Sequence, residues 1–333
     1  MSDLRINNIT DRTGDSGPVI AGISTVTSTS AFTVPVGPTE MRGGRGRAVR
    51  SGGIVPGGAR TSDMDYFTIS TTGNATDFGN LTAATGQGGG CSSATRGLFG
   101  GTTPDGSTDT NNIEYITISS GGGASDFGDF SKVGLGRRGA SNETRGIFFG
   151  RADNPLTFRD ITYVEIATTG DASDFGELTG TGASGGALAN ATRGIYTLRA
   201  NNTNAIDYIT IATTGNAEDF GDISTGNVAN TNGLSSPTRG VFSGGYISPA
   251  STDEINYITI ASKGNTKDFG NLTFAYNEQA ATSSHIRGVI MGGDQNTIQY
   301  ITIATTGNAI DFGDLTQVIT FAQACSDVHG GLG

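Results

Sequence analysis

Tryptophan is absent from the chain, lysine occurs three times, and cysteine and histidine occur twice each. Each scarcity removes a class of explanation. Cys91 and Cys325 cannot supply a disulfide framework or a zinc cluster, and are expected to be small, reduced packing residues. His285 and His329 cannot supply the clustered ligands of a copper site, and both fall in loop-like positions of neighbouring repeats. No apolar run approaches the roughly 20 residues that cross a bilayer as a helix, so membrane insertion is not expected. Met1-Ser2-Asp3-Leu4-Arg5 lacks the basic and apolar regions of a signal peptide, which predicts synthesis in a reducing cytoplasm. The triplets Asn74-Ala75-Thr76 and Asn190-Ala191-Thr192 fit the glycosylation pattern but have no secretory signal to give them that use.

Charged residues make up only 15% of the chain, and runs of helix-forming Ala, Leu, Glu and Lys are missing. The net charge is −11, yet residues 1–60 carry seven Arg against four acids, so the remainder is strongly acidic. An acidic body excludes nucleic acid as the expected main partner. What the chain has instead is glycine, 54 residues of it, separating short groups of Ile, Val, Thr, Tyr and Phe. Short strands and tight turns are written that way.

One unit returns six times. Its centre reads Asp65-Tyr66-Phe67-Thr68-Ile69 in the first copy and Gln299-Tyr300-Ile301-Thr302-Ile303 in the last, with Tyr115, Tyr163, Tyr208 and Tyr257 between. The Tyr-to-Tyr steps are 49, 48, 45, 49 and 43 residues. Each copy runs through a glycine turn into Asp-Phe-Gly, at Asp77, Asp126, Asp174, Asp219, Asp268 and Asp311. Thr-Arg-Gly or a close variant precedes the later copies at Arg96, Arg145, Arg193, Arg239 and Arg287, with Arg47 in that place in the first. A period of this length, filled with short strands, predicts one propeller blade per repeat. Small-residue segments such as Gly88-Gly89-Gly90-Cys91-Ser92 and Gly185-Gly186-Ala187-Leu188-Ala189 suit the crowded innermost strand. The first full segment begins at a second strand near Arg47, and the chain ends past an inner-type strand, Phe321 to Ser326. That strand is therefore expected beside Val49, closing the ring.

The expected fold is all-β, a six-bladed β-propeller over residues 45–333 with four-stranded blades, preceded by an extended arm over residues 1–44. A repeated Arg and a repeated Asp suggest a structural pair in each blade, so the expectation is contact between each Thr-Arg-Gly guanidinium and an Asp-Phe-Gly carboxylate. No copy marks out a catalytic pair, and no catalytic, cofactor or metal residue is assigned. Asp105-Gly106-Ser107-Thr108-Asp109 offers oxygens but not the spacing of a calcium loop, and reads first as a turn. The arm's apolar residues Leu4, Ile6, Ile9, Val19, Ile20, Phe32 and Val34 are too few for a core of their own. They must lie on the propeller rim or on another subunit.

The unit resembles a kelch-type blade. Gly-Gly follows the second strand at Gly52-Gly53, Gly100-Gly101, Gly244-Gly245 and Gly292-Gly293, and Phe of Asp-Phe-Gly stands where that family has a fourth-strand Trp. The run from Tyr300 to Asp314 and the opening Ile6-Asn7-Asn8-Ile9-Thr10-Asp11-Arg12-Thr13-Gly14 are similar to segments of virion structural proteins of tailed phages, those of marine cyanobacteria above all. That resemblance implies a non-enzymatic particle component without cofactors, made in the host cytoplasm and located in the virion. It would be anchored to other virion proteins through the arm, as surface decoration or part of a tail or fibre. A receptor-binding adhesin for a host glycan or protein is the alternative, and a cellular kelch-type interaction module a further one.

Overall fold

The tyrosine-bearing strands, Tyr-x-Thr in five copies and Tyr163-Val164-Glu165 in the third, and the glycine turns after them build the same hairpin six times. In the fourth copy Ala205–Thr210 pairs with Glu218–Asp222, and Gly215 and Gly221 take φ values of +156° and +148° in the turn and the bulge that follows. The structure, a computed structural model, describes residues 46–105, 108–150, 159–182, 185–198, 204–226 and 228–332. The arm, residues 1–44, lies outside these.

The protein is an all-β, six-bladed propeller, each blade a four-stranded antiparallel sheet. Blade 1 consists of Gln323–Ser326, Arg47–Ser51, Thr61–Thr68 and Thr76–Thr85, in that order from the axis outward. Blade 2 runs Gly89–Ser92, Arg96–Gly100, Asn112–Thr117 and Ser125–Asp129. Blades 3 to 6 repeat this pattern, with inner strands Arg138–Ser141, Ala187–Ala189, Asn232–Ser235 and Gln279–Ser283. Blade 5 adds a small hairpin, Tyr246–Ile247 with Ala250–Ser251. Among the described residues the helical element is one 3₁₀ turn, Gly330–Leu332.

Ring closure is a strand pairing, with Val49 opposite Cys325 and Ala48 opposite Ser326. The closing strand is shorter than the sequence suggests, starting at Gln323, because Phe321 has a φ of +52° and turns the chain instead of extending it. Blade 5 has a turn of the same kind at Asn230, where φ is +54°, and its inner strand starts at Asn232.

Apolar side chains do not form one central core. Among the described residues they form six clusters, each between two blades. Between blades 4 and 5, for instance, Leu188, Ile195, Ile206, Phe220 and Ile223 meet Phe242, Ile258 and Ile260. Residues on both faces of a strand are therefore buried, as in Ile206 and Ile209, which is why strict polar–apolar alternation is missing from the sequence.

Main-chain atoms also join the blades. Gly215 N–H of blade 4 donates to Phe175 O of blade 3 at 2.8 Å, and Ala217 N–H donates to Glu177 O at 2.8 Å. The same two bonds occur at all six interfaces, from Gly122 to Phe78 O and Ala124 to Asn80 O round to Gly73 to Phe312 O and Ala75 to Asp314 O. The turn of each blade thus covers the outer strand of the blade before it, and that edge is not left open for pairing with other chains.

Candidate functional site

The repeated arginines are the obvious candidates for a ligand, and the fold gives all of them one job. Arg47, Arg96, Arg145, Arg193, Arg239 and Arg287 open the second strands of blades 1 to 6. Each guanidinium carbon lies 4.3–4.9 Å from the ring centre of the Tyr in its own blade. Each Nη1 then donates to a main-chain carbonyl of the next blade: Arg193 to Ile260 O at 2.8 Å, Arg239 to Ile303 O at 2.8 Å and Arg287 to Ile69 O at 2.9 Å. Arg47 reaches Ile118 O, Arg96 reaches Ile166 O, and Arg145 reaches Ile211 O, so the ring of clamps closes. Each Tyr in turn meets the Phe of Asp-Phe-Gly edge to face, with ring centres 5.9–6.1 Å apart.

This corrects the expected pairing. Asp77, Asp126, Asp174, Asp219, Asp268 and Asp311 are exposed, and the arginines are spent on tyrosine faces and carbonyl oxygens. A carbonyl at the end of the neighbouring strand needs a donor, and a guanidinium supplies one without the desolvation cost that burying a carboxylate would add. Among the described residues, the carboxylate that one of these six arginines does hold is Glu165, 2.9 Å from Arg145 Nε, in blade 3. Arg193→Ala should therefore lower stability by about 3 kcal/mol, from a lost charged hydrogen bond and a lost cation–π contact. Asp174→Asn should change it by less than about 0.5 kcal/mol. Thermal unfolding of the two variants checks this, and equal losses would restore the ion-pair reading.

A second set of interblade links carries no constant residue type. At five of the six interfaces the residue before the Tyr accepts from a Thr or Ser four positions after the Phe of the preceding blade. Thr179 donates through N–H and hydroxyl to Asp207 at 2.8 and 2.7 Å, Thr273 to Gln299 at 2.9 and 3.0 Å, and Thr316 through its hydroxyl to Asp65 at 2.6 Å. Thr82 serves Glu114, and Ser224 serves Asn256. Burial raises the Glu114 and Asp207 carboxyls, the bonds from Thr82 and Thr179 oppose that, and the nearby Asp126 and Asp219 charges add to it. Asp65 also holds Arg50, a fully buried ion pair whose Nη1 donates to Asp63 O at 2.9 Å.

Cys91 and Cys325 are buried free thiols, held protonated by that burial. They fill slots opened by the glycine of the next blade's Arg-Gly: a Cβ on Gly146 would meet Cys91 Sγ at 2.7 Å, and one on Gly97 would meet Cys325 Sγ at 2.5 Å. Leu188 and Leu234 occupy the same slots against Gly240 and Gly288. Arg-Gly is thus a double device, a clamp followed by a socket.

Asp105 accepts Thr108 N–H at 2.6 Å and its hydroxyl at 2.8 Å. Among the described residues no cluster of three His, Cys, Asp or Glu side chains is placed to hold a metal. Two features escaped the sequence reading. Phe274, 60% exposed, stands on the loop entering blade 6, its ring 5.8 Å from that of Tyr276. That loop is tied to the blade 5 hairpin by Gly245 N–H on Tyr276 O and by Asn277 on Ser251, both at 2.8 Å, and the hairpin carries Tyr246. The second is the axial channel, lined by small residues of the inner strands and by His329.

These contacts define the class: a closed six-bladed propeller with an arginine–tyrosine clamp at every interface. No protein-family model matches the chain, and no curated protein matches it.

Proposed function

We propose that the chain is a non-enzymatic virion structural protein of a tailed phage, in which the propeller is displayed and residues 1–44 bind other virion proteins. The observation that carries this is the self-sufficiency of the ring. All six blades are complete from Arg47 to Ser326, so the apolar residues Leu4, Ile6, Ile9, Val19, Ile20, Phe32 and Val34 are not needed to build them. The six-fold repetition of the same clamps supports a scaffold role, since a site for one small substrate usually breaks such symmetry. The resemblance of the repeat and of the opening segment to phage structural proteins supplies the setting.

Charge adds little to the anchoring. Of the seven arginines in residues 1–60, Arg47, Arg50 and Arg60 belong to the ring. Residues 1–44 hold Arg5, Arg12 and Arg42 against Asp3, Asp11, Asp15 and Glu40. The arm must therefore work through its apolar side chains, each worth roughly 25 cal/mol per Å² buried on a partner.

A chain beginning at Glu40 should be a soluble β protein that melts cooperatively and no longer enters particles when co-expressed with the other virion proteins. Normal incorporation would remove the anchoring role, and failure to fold would assign the arm to the propeller. Exposed Phe274 beside the Tyr246 hairpin favours the second reading, a host-binding adhesin. Binding of the truncated ring to host cells, abolished by Phe274→Ala, would move the conclusion there.

A further inference from the structure

The end of the axial channel where the inner strands finish is ringed by serines. Ser92 Oγ donates to Ser326 O, Ser326 Oγ to Ser283 O, Ser283 Oγ to Ser235 O, Ser235 Oγ to Ala189 O, and Ser141 Oγ to Ser92 O, at 2.6–2.8 Å. Blade 4 has Ala189 where the others have serine, so the Ser141 carbonyl receives no hydroxyl from that strand. At this gap the chain folds back. After the closing strand, Asp327 is fixed by Arg47 N–H at 2.7 Å, and residues 329–332 cross the mouth.

The fit is close. A Cβ on Gly331 would lie 1.8 Å from Ser141 O, and one on Gly330 would lie 2.6 Å from Ser235 O. His329 Nε2 is 2.8 Å from Ser92 O and 3.2 Å from Ser141 Oγ, and its Nδ1 accepts Gly331 N–H at 3.1 Å. A donor to a carbonyl on one nitrogen and an acceptor from an amide on the other describe a neutral imidazole with its proton on Nε2. The His329 carbonyl in turn faces His285 Nε2 at 3.1 Å.

We propose that residues 327–332 form a proton-released plug of the axial channel. Protonation of His329 from solvent places a second N–H on Nδ1, opposite the Gly331 N–H that it now accepts. Donor then faces donor, the turn loses its bond, and the charged ring is left in a mouth with no carboxylate among its hydrogen-bond partners in the described residues. Among the described residues, the titratable groups around it are His285 from blade 6, Cys91 and Cys325 from the inner strands, and Asp327 on the tail itself, which is engaged by Arg47 N–H. Burial first, and His285 second, lower the His329 pKa from 6.5 to about 4, against an opposing effect of the Ser92 carbonyl.

The sign follows from linkage. The released tail binds the proton with the ordinary histidine affinity and the docked tail binds it more weakly, so docking is strongest above about pH 6.5 and weakens as pH falls toward 4. In the full-length protein, the amide protection factors of Gly331 and Leu332 should fall about 30-fold between pH 7.5 and pH 5, while those of the second and third strands stay constant. His329→Gln should abolish the pH dependence, and Gly331→Ala should expose the tail at every pH. The imidazole resonances of the unmodified protein give an independent reading that needs no variant. A His329 titrating near 6.5, or tail protection unchanged over that range, overturns the proposal.

Discussion

A chain lacking residues 323–333 should lose cooperative unfolding altogether. Blade 1 would keep three strands, and the inner edge of Arg47–Ser51 would have no partner for the pairs now made by Ala48, Val49, Arg50 and Ser51. The serine ring would lose both the Ser326 hydroxyl and the Ser326 carbonyl, and Cys325 would vacate its socket on Gly97. The buried Arg50–Asp65 pair would then sit at an open edge. Together these losses match the whole net stability of a domain, about 5–15 kcal/mol. Removing residues 327–333 alone should leave the ring intact, since the closing strand remains. Urea unfolding of the two truncations separates strand from plug. Addition of a peptide spanning residues 323–333 to the shorter chain should recover a cooperative transition, and a cooperative melt without it would show that the ring does not depend on closure.

The second large effect is expected at the glycine of Asp-Phe-Gly. Gly176 has a φ of +149°, and a Cβ there would lie 2.3 Å from Gly215 O and 2.5 Å from its carbonyl carbon. Both atoms are backbone of the next blade, so nothing flexible can yield. Gly176→Ala must break the two main-chain bonds from Gly215 and Ala217, and with them the 3.1 Å bond from Glu177 N–H to Asn216. A loss of about 4 kcal/mol is expected, a fall of roughly 10 °C in melting temperature. Gly215→Ala is the control, because Gly215 has a φ of +156° but nothing within 4 Å of a Cβ. That variant meets the backbone strain without the collision and should cost about half as much. Equal losses would show that strain alone, and not the blade-to-blade approach, demands glycine.

The parts of this structure that could be read from the sequence are those in which one residue type repeats. Tyr, Phe, Gly and Arg recur at fixed offsets, and they gave the blade count, the hairpin turns and the crowded inner strands. The partner of Arg was misjudged for a physical reason. A carbonyl oxygen is present at every residue and so leaves no mark in a sequence, whereas the six aspartates stood out. The Thr-to-acceptor links were missed for the opposite reason. Their acceptors are Asp65, Glu114, Asp207, Asn256 and Gln299, which share an oxygen but not a name. The interface between blades 2 and 3 shows the cost of losing the pattern, since Thr162 Oγ1 is buried there without a hydrogen-bond partner. Phe274 and the tail lay outside the repeat, and repetition could say nothing of them.

Blade 1 also sets a timetable for synthesis. The hydrogen bond from Arg47 to Asp327 spans 280 residues. At about 5–20 residues per second of translation, its two halves leave the ribosome roughly 15–55 s apart. Throughout that interval five blades can assemble while the first waits with a bare inner edge, and the apolar surface of Phe67 and Ile69 can meet blade 6 only near the end. The nascent propeller is therefore most vulnerable until residues 323–326 emerge, and that one strand decides whether Arg47–Ser51 is ever covered.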